Sequence, residues 1–419
     1  MNTKEIFDIY DSEHSLFSDN SIKEFEYVEF PPINTTNLNT TGNKEIVIQQ
    51  QDLITFPSDA YLYFEGELTK SDGTDIAAAD YEKVSLINNS MMYLFERMTY
   101  LINGNVVEDI DRPGQTTSML GMFKYSIPQS SSNGLSMSWL PDIDYNANES
   151  NNSMVLRSRF KKFSFNVPLD HIFGFMEDYK KVLYGVQQTF RLKRLVNHES
   201  LQVMKGENKT DFKLSLSKMS LFIPVIKPSL ETEIKLYDQI DKKKILKILF
   251  RGRNTQTFIP AANSTNLSWN LQNTTGTPRY IVIGMQKNNL FSKSNFSNLE
   301  LKKILVEINT RRYPNHDIEI DYPEEKYSRI FKQSYDFKKN FYDTDEPPSF
   351  SYITFKSLYP IYVIDISKYD DRTRVSNMDI QIKATFNSAP GTGVEVFATL
   401  LSDIELSLHS SDRRFNLIS

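Results

Sequence analysis

An all-β chain folded as two similar domains is the class this sequence predicts, on three observations. First, a fragment recurs half a chain apart. Leu101-Ile102-Asn103-Gly104 leads to Ile110-Asp111-Arg112-Pro113, and Glu307-Ile308-Asn309-Thr310 leads to Ile320-Asp321-Tyr322-Pro323, moving the shared Ile-Asp-x-Pro from position 110 to position 320 of 419 residues. Second, short runs alternate aromatic or branched residues with polar ones between turn signals, as half-buried antiparallel strands require. Third, the chain has 28 Phe and 22 Tyr but no Cys, so aromatic burial must stabilise it in place of disulfides or thiolate metal sites.

Residues 1–20 are acidic and weakly patterned, and read as an N-terminal arm. Strand pattern begins at Phe25 to Phe30 and continues through Glu45 to Ile48 and Ala60 to Leu68. Met98 to Ile102 and Val106-Val107 flank Asn103-Gly104, a hairpin signal because both turn residues tolerate positive φ. Each copy of the repeat then predicts a helix opened by proline, Gln115 to Tyr125 in the first and Glu324 to Tyr335 in the second, since the first helical turn has no N–H partner to lose. Gln129 to Ser153 reads as a long surface loop. Phe163 to Val167 is a strand, Pro168 to Glu177 a short helix, and Val186 to Leu195 a further strand. In Phe212 to Ile226 the apolar set changes face after Leu216, so a bulge near Ser217-Lys218 is expected to restore one buried side.

Ser229 reads as the N-cap of a connector helix ending near Lys242, with Leu230, Ile234 and Tyr237 on its apolar face. Strands resume at Ile245 to Phe250, Tyr280 to Met285, Leu301 to Ile308, Tyr359 to Ile366, Met378 to Phe386 and Val394 to Leu408. Two landmarks echo the first half: Tyr280 to Ile283 matches Tyr61 to Phe64, and Thr354 to Ile361 matches Phe163 to Leu169. Halves of about 200 residues suit two tandem eight-stranded jelly rolls better than immunoglobulin-like units of about 100 residues. The expected domains are an arm 1–20, a first jelly roll 21–228, a connector helix 229–243, a second jelly roll 244–412 and a tail 413–419.

Composition limits the function. Lys plus Arg total 48 against 53 Asp plus Glu, a formal charge of −5, so only weak, salt-sensitive binding to nucleic acid is expected. Arg251-Gly252-Arg253, Lys242-Lys243-Lys244 and Arg311-Arg312 read as solvated surface. No apolar run approaches the ~18 residues of a membrane span, and the polar N-terminus lacks a secretory signal, which points to synthesis inside a cell. Among His14, His171, His198, His316 and His409 no pair has metal or general-base spacing, and nucleophile elbows and phosphate loops are absent. Asp142-Ile143-Asp144-Tyr145-Asn146 fails the calcium-loop pattern, having Ala147 where the turn needs glycine and Ser153 where it needs a bidentate Glu. Asp317, Glu319 and Asp321 read as the solvated side of an edge strand. No catalytic, cofactor-binding or metal-binding residues are therefore assigned.

The words Gln49-Gln50-Gln51-Asp52-Leu53, Phe56-Pro57-Ser58, Tyr61 to Gly66, Leu101 to Gly104, Phe165 to Leu169 and Phe173 to Lys181 give the chain a family likeness. From about residue 25 to 408 it resembles the double jelly-roll major capsid proteins of the tectivirus–adenovirus lineage, particularly those of polinton-like, adintovirus-like and virophage-like elements. The second half departs further from the family pattern. The resemblance implies a structural virion protein without catalytic residues, forming homotrimeric pseudo-hexagonal capsomers of an icosahedral shell. Its implied partners are neighbouring capsomers and minor capsid or penton proteins, and Gln129 to Ser153 is the candidate tower or inter-subunit contact. The alternative is a carbohydrate-binding or hydrolytic β-sandwich whose groove would use Trp139 and Trp269. A minor-capsid scaffold of the same fold is a third reading.

Overall fold

The computed structural model describes residues 21–33, 37–49, 52–143, 157–159, 161–195, 200–203, 207–243, 245–272, 276–288, 292–309, 311–368, 378–411 and 414–417. The expected arm at 1–20 lies outside them. Of the expected tail, Arg414–Leu417 is described, and it pairs with the preceding strand.

The first half contains β1 (Ile22–Phe30), β2 (Gly42–Ile48), β3 (Tyr61–Lys70), β4 (Val84–Leu86), β5 (Phe95–Ile102), β6 (Asn105–Asp111), β7 (Lys162–Pro168), β8 (Gln188–Arg194), β9 (Leu201–Val203) and β10 (Phe212–Pro228). They form one four-stranded sheet in the order β1-β10-β3-β7, another in the order β2-β8-β5-β6, and the small pair β4-β9. Period-2 alternation aims each strand. In β3, Leu62, Phe64 and Leu68 are buried while Tyr61, Tyr63, Glu65 and Glu67 lie on the other side. The hairpin turn between β5 and β6 has Asn103 and Gly104 at φ 48 and 79, as their residue types required. In β10 the register against β3 shifts between Leu216 and Lys218. Leu214 and Leu216 before that bulge and Met219, Leu221 and Ile223 after it are all buried.

The second half contains β11 (Ile245–Phe258), β12 (Asn266–Leu271), β13 (Thr277–Lys287), β14 (Leu301–Ile308), β15 (Arg311–Tyr313), β16 (Tyr362–Asp365), β17 (Ile380–Phe386), β18 (Val394–Ser411) and β19 (Arg414–Leu417). Its sheets run β11-β18-β13-β16, with β19 added on β18, and β12-β17-β14-β15. With β4, β9 and β19 set aside and the strands ranked within each half, both halves read 1-8-3-6 in one sheet and 2-7-4-5 in the other. Thus β3 and β13, the Tyr61 and Tyr280 words, hold the same rank. The other echo is displaced: Thr354 lies in a helix, and the strand that takes the place of β7 is β16.

Seven α-helices are described: α1 (Pro113–Lys124), α2 (Ile127–Ser132), α3 (Leu169–Ile172), α4 (Gly174–Asp178), α5 (Leu230–Lys243), α6 (Ser328–Tyr342) and α7 (Tyr352–Ser357). Pro113 opens α1, following Arg112 at φ 49. In the second copy the expectation of a helix from Glu324 is corrected. A bridge between Asp321 and Lys326 closes a turn around Pro323, with Glu325 at φ 55, and the helix starts only at Ser328. The expected strand at 317–321 is also corrected: it lies outside the strand ladders, although Ile318 and Ile320 are buried and Asp317 and Glu319 face outward.

The single helix expected over 168–177 is two short ones, interrupted at Phe173, whose ψ is 130. Ser229 does cap α5, its Oγ accepting from Thr232 N–H and its carbonyl from Glu233 N–H. The apolar face differs from expectation, because Leu230 and Ile234 are exposed while Leu236, Tyr237 and Ile240 pack on the first core.

Two hydrophobic cores result, and neither respects the sequence divide. Ile248 and Phe250 of β11 and Leu406 and Leu408 of β18 pack in the first core. Conversely Met119, Leu120, Met122 and Phe123 of α1, with Met137 and Trp139, pack in the second. Phe123 meets Phe337 of α6 and Phe350 edge to face at ring-centroid distances of 5.0 and 5.3 Å. Among the described residues no helix is long and apolar enough to cross a membrane.

Candidate functional site at the seam between the halves

Where the halves meet, the apolar cores give way to a buried charged network. Strand β6 contributes Glu108, which is 4 % exposed. Its Oε1 accepts from the backbone N–H of Gly174 (3.1 Å) and of Arg253 (3.0 Å), and its Oε2 from that of Phe175 (3.0 Å). Two of these donors belong to the start of α4, whose first N–H groups have no helical acceptor. The third comes from β11 in the other half. The approach is close enough that a Cβ on Gly174 would stand 1.9 Å from the Arg251 carbonyl oxygen, so glycine is required there.

Arg253 carries the network onward. Its Nη1 donates to the carbonyls of His171 (2.6 Å) and Ile172 (2.8 Å), and its Nη2 to the Asp170 carbonyl (3.2 Å) and Glu177 Oε2 (2.7 Å). A guanidinium from one half thereby satisfies the orphan carbonyls at the end of α3 in the other. Lys124, at the end of α1, pairs with Asp170 (2.9 Å) and Glu177 (3.1 Å). Arg251 grips Asp178 through its backbone N–H (2.7 Å), Nε (2.9 Å) and Nη2 (2.5 Å), donates to the Phe341 carbonyl, and lies 4.1 Å from the centroid of the Phe341 ring.

Protonation follows from these surroundings. Burial pushes the Glu108 carboxyl up to about 7, against the pull of Arg253 and the three backbone N–H groups. Burial also acts to raise Glu177, but Lys124 and Arg253 outweigh it and hold that carboxyl at about 2. His171 is driven well below its ordinary range by burial first, then by Lys124 and Arg253. Its Nε2 lies 3.1 Å from Asn89 Oδ1 and its Nδ1 3.2 Å from Tyr125 Oη. Asn89 Oδ1 can only accept, so Nε2 carries the proton and Nδ1 accepts from the tyrosine. This arrangement joins the two halves through backbone N–H groups and helix carbonyls, and rests on the face of the Phe341 ring.

The residues singled out from sequence are dispersed. Arg251 and Arg253, expected as solvated surface, are half-buried and buried at the seam. Arg311 and Arg312 are exposed, and Lys242 pairs with Asp238 at 2.5 Å. His316 and His409 are exposed, while His14 and His198 lie outside the described residues. Among the described residues no three His, Asp or Glu side chains gather as a metal-holding group. Asp142 is buried against Arg157 Nη2 at 2.7 Å, and Asp144 to Asn146 lie outside the described residues.

The expected surface loop is corrected over 129–143. Ser130, Met137 and Asp142 are buried, and Trp139 packs 5.2 Å from the Tyr125 ring and 5.6 Å from His171 while donating from Nε1 to Ser130 Oγ (3.1 Å). The rest of the loop, 144–153, lies outside the described residues. Trp269, 7 % exposed, stacks on Phe258 at 5.4 Å. Both tryptophans of the carbohydrate-binding alternative are thus core residues. Sequence reasoning missed Glu108 and Arg253 as seam residues. Gly252 between the two arginines gave no such signal, because a Cβ there would stand 2.2 Å from Ile404 Cδ1 of the neighbouring strand β18 in its own half.

A family model described as double jelly roll-like domain matches residues 84–403. Among solved structures, the chain is similar to one of the Sputnik virophage determined by cryo-EM at 3.5 Å resolution, with a TM-score of 0.61 and 10 % identity over 98 % of this chain and 91 % of that one. It is similar to a chain of the quasi-atomic model of the PBCV-1 virus capsid (TM-score 0.57, 9 % identity, 97 % and 100 % covered) and to the mavirus major capsid protein (0.51, 11 %, 99 % and 94 %). At such identities the likeness is one of fold. A search of curated protein sequences finds no match.

Proposed function

The chain belongs to the double jelly roll-like domain family, and from that premise we propose that it is a major capsid protein, a structural component of a virion with no enzymatic role. The observation that carries this reading is the identical ranked strand order of the two halves, locked together by the Glu108–Arg253 seam. Each half is read as an eight-stranded jelly roll, 21–228 and 244–412, joined by the connector 229–243, with β4, β9 and β19 as additions. Two similar barrels per chain let three chains present six similar units, so a pseudo-hexagonal capsomer can tile an icosahedral shell with few kinds of contact. The named capsid proteins with which the chain shares its fold support this reading.

The native form is read as a homotrimer that meets neighbouring capsomers and minor capsid or penton proteins. The net charge of −5 leaves genome condensation to other proteins. Light scattering across a dilution series tests the trimer. A mass near three times 48.6 kDa at micromolar concentration supports it, and a mass of 48.6 kDa overturns it. Electron microscopy of the same preparation should show particles with pseudo-six-fold outline.

A further inference from the structure

At the end of the molecule where β1 begins, a groove of about 680 Å³ opens between β1, the end of β10, α5 and the start of β11. Its walls are apolar, among them Ile22, Phe25, Ile226, Leu236, Ile240 and Ile245. Phe25 and Ile245 remain 44 % and 47 % exposed, so the apolar lining is left open to water. Lys180 and Lys181 stand at its edge, both exposed and neither ion-paired with a described acid.

We propose that this groove is the docking site of the chain's own N-terminal segment, residues 5–17. The sequence Glu5-Ile6-Phe7-Asp8-Ile9-Tyr10-Asp11-Ser12-Glu13-His14-Ser15-Leu16-Phe17 sets three apolar pairs, Ile6-Phe7, Ile9-Tyr10 and Leu16-Phe17, among four acids. Residues 1–20 hold five acids against the single Lys4, the opposite sign to the two unpaired lysines. Apolar pairs suit the walls and acids suit the edge. Connectivity selects the occupant. Ser21 itself lines the groove, so the four steps from residue 17 to Ser21 span at most about 14 Å. A tether that short gives the segment an effective concentration in the millimolar range, which a second copy in dilute solution does not match. This assignment is independent of the capsid reading, since it needs only the groove and the segment joined to it.

Hydrogen exchange on the full-length chain tests it. Amides of residues 5–17 should be protected, and protection should be unchanged on hundredfold dilution. In the Phe7→Ser/Phe17→Ser chain the groove peptides 179–184 and 232–246 should exchange about tenfold faster, the scale expected when buried aromatic contacts are removed. A Lys180→Glu/Lys181→Glu chain should release residues 5–17 while leaving β13 and β18 protected as before. Free-chain exchange of residues 5–17 in the unaltered protein overturns the proposal. So does protection that vanishes on dilution, because that outcome assigns the segment to a second copy.

Discussion

Arg253 donates its backbone N–H to Glu108 Oε1 at 3.0 Å across 145 residues of chain. The bond joins β6 of one half to β11 of the other, and the same carboxylate binds the first two N–H groups of α4. One side chain therefore aligns three elements. Truncation by Glu108→Ala leaves all three donors and the Arg253 cation without this acceptor, so a loss of about 3–5 kcal/mol in denaturant stability is expected. A loss under about 1 kcal/mol by urea titration would show that the halves are held elsewhere.

Protonation of Glu108 gives that seam a pH dependence. Its folded value of about 7 lies above the ordinary 4.5, so its contribution is fully present below about 4.5 and is lost as pH rises through about 7. The change amounts to about 3 kcal/mol. The Glu108→Gln chain keeps an oxygen for Gly174 and Arg253 but turns an amide donor toward Phe175, so it should be weaker at pH 5 and lack this part of the slope. Urea midpoints of both chains from pH 4.5 to 8 measure the difference. Parallel curves would refute the assignment.

Glu177 acts with the opposite sign. Held at about 2 by Lys124 and Arg253, it stabilises the fold above about 4.5, and that contribution disappears as pH falls through about 2. Glu177→Gln leaves the two cations facing a neutral group and should lose about 3 kcal/mol or more at pH 7. The deficit should shrink on acidification, which thermal melts between pH 7 and pH 3 would reveal.

Gly174→Ala tests the close approach directly. The added methyl would meet the Arg251 carbonyl oxygen at 1.9 Å, and backbone cannot rotate away as a side chain can. A loss of about 3 kcal/mol or more is expected. An unchanged melting temperature would mean that the halves sit further apart.

Gly121 and Trp139 should be coupled. A Cβ at Gly121 would stand 2.4 Å from Trp139 Cη2, the far end of the indole. Gly121→Ala is expected to lose about 1–3 kcal/mol beside tryptophan and clearly less in a Trp139→Phe background, which removes the offending ring edge. A double-mutant cycle with no coupling would contradict the packing of residues 129–139 against α1.

Local chemistry, readable in the sequence alone, settled much of the fold. Alternation in β3, β7 and β17, the Asn103-Gly104 turn, the bulge after Leu216, the proline start of α1 and the Ser229 cap are each decided by residues within a few positions of one another. The duplication was legible in part: the Tyr61 and Tyr280 words, and the Leu101 and Glu307 words, fall on strands of equal rank, whereas the echo of Phe163 falls in a helix and the second Ile-Asp-x-Pro outside the ladders. Tertiary structure decided what distant residues share. The helix α1 leaves its own half to bury Phe123 against Phe337, β11 sends Phe250 the other way, and Arg253 exchanges water for helix carbonyls and Glu177. A run such as Arg251-Gly252-Arg253 looks solvated because lone charges belong in water, and only the arrival of Asp178 and Glu177 from 73 and 76 residues away makes burial tolerable. The fate of a polar residue depends on partners brought by the fold, whereas the fate of an alternating apolar strand is written in its own period.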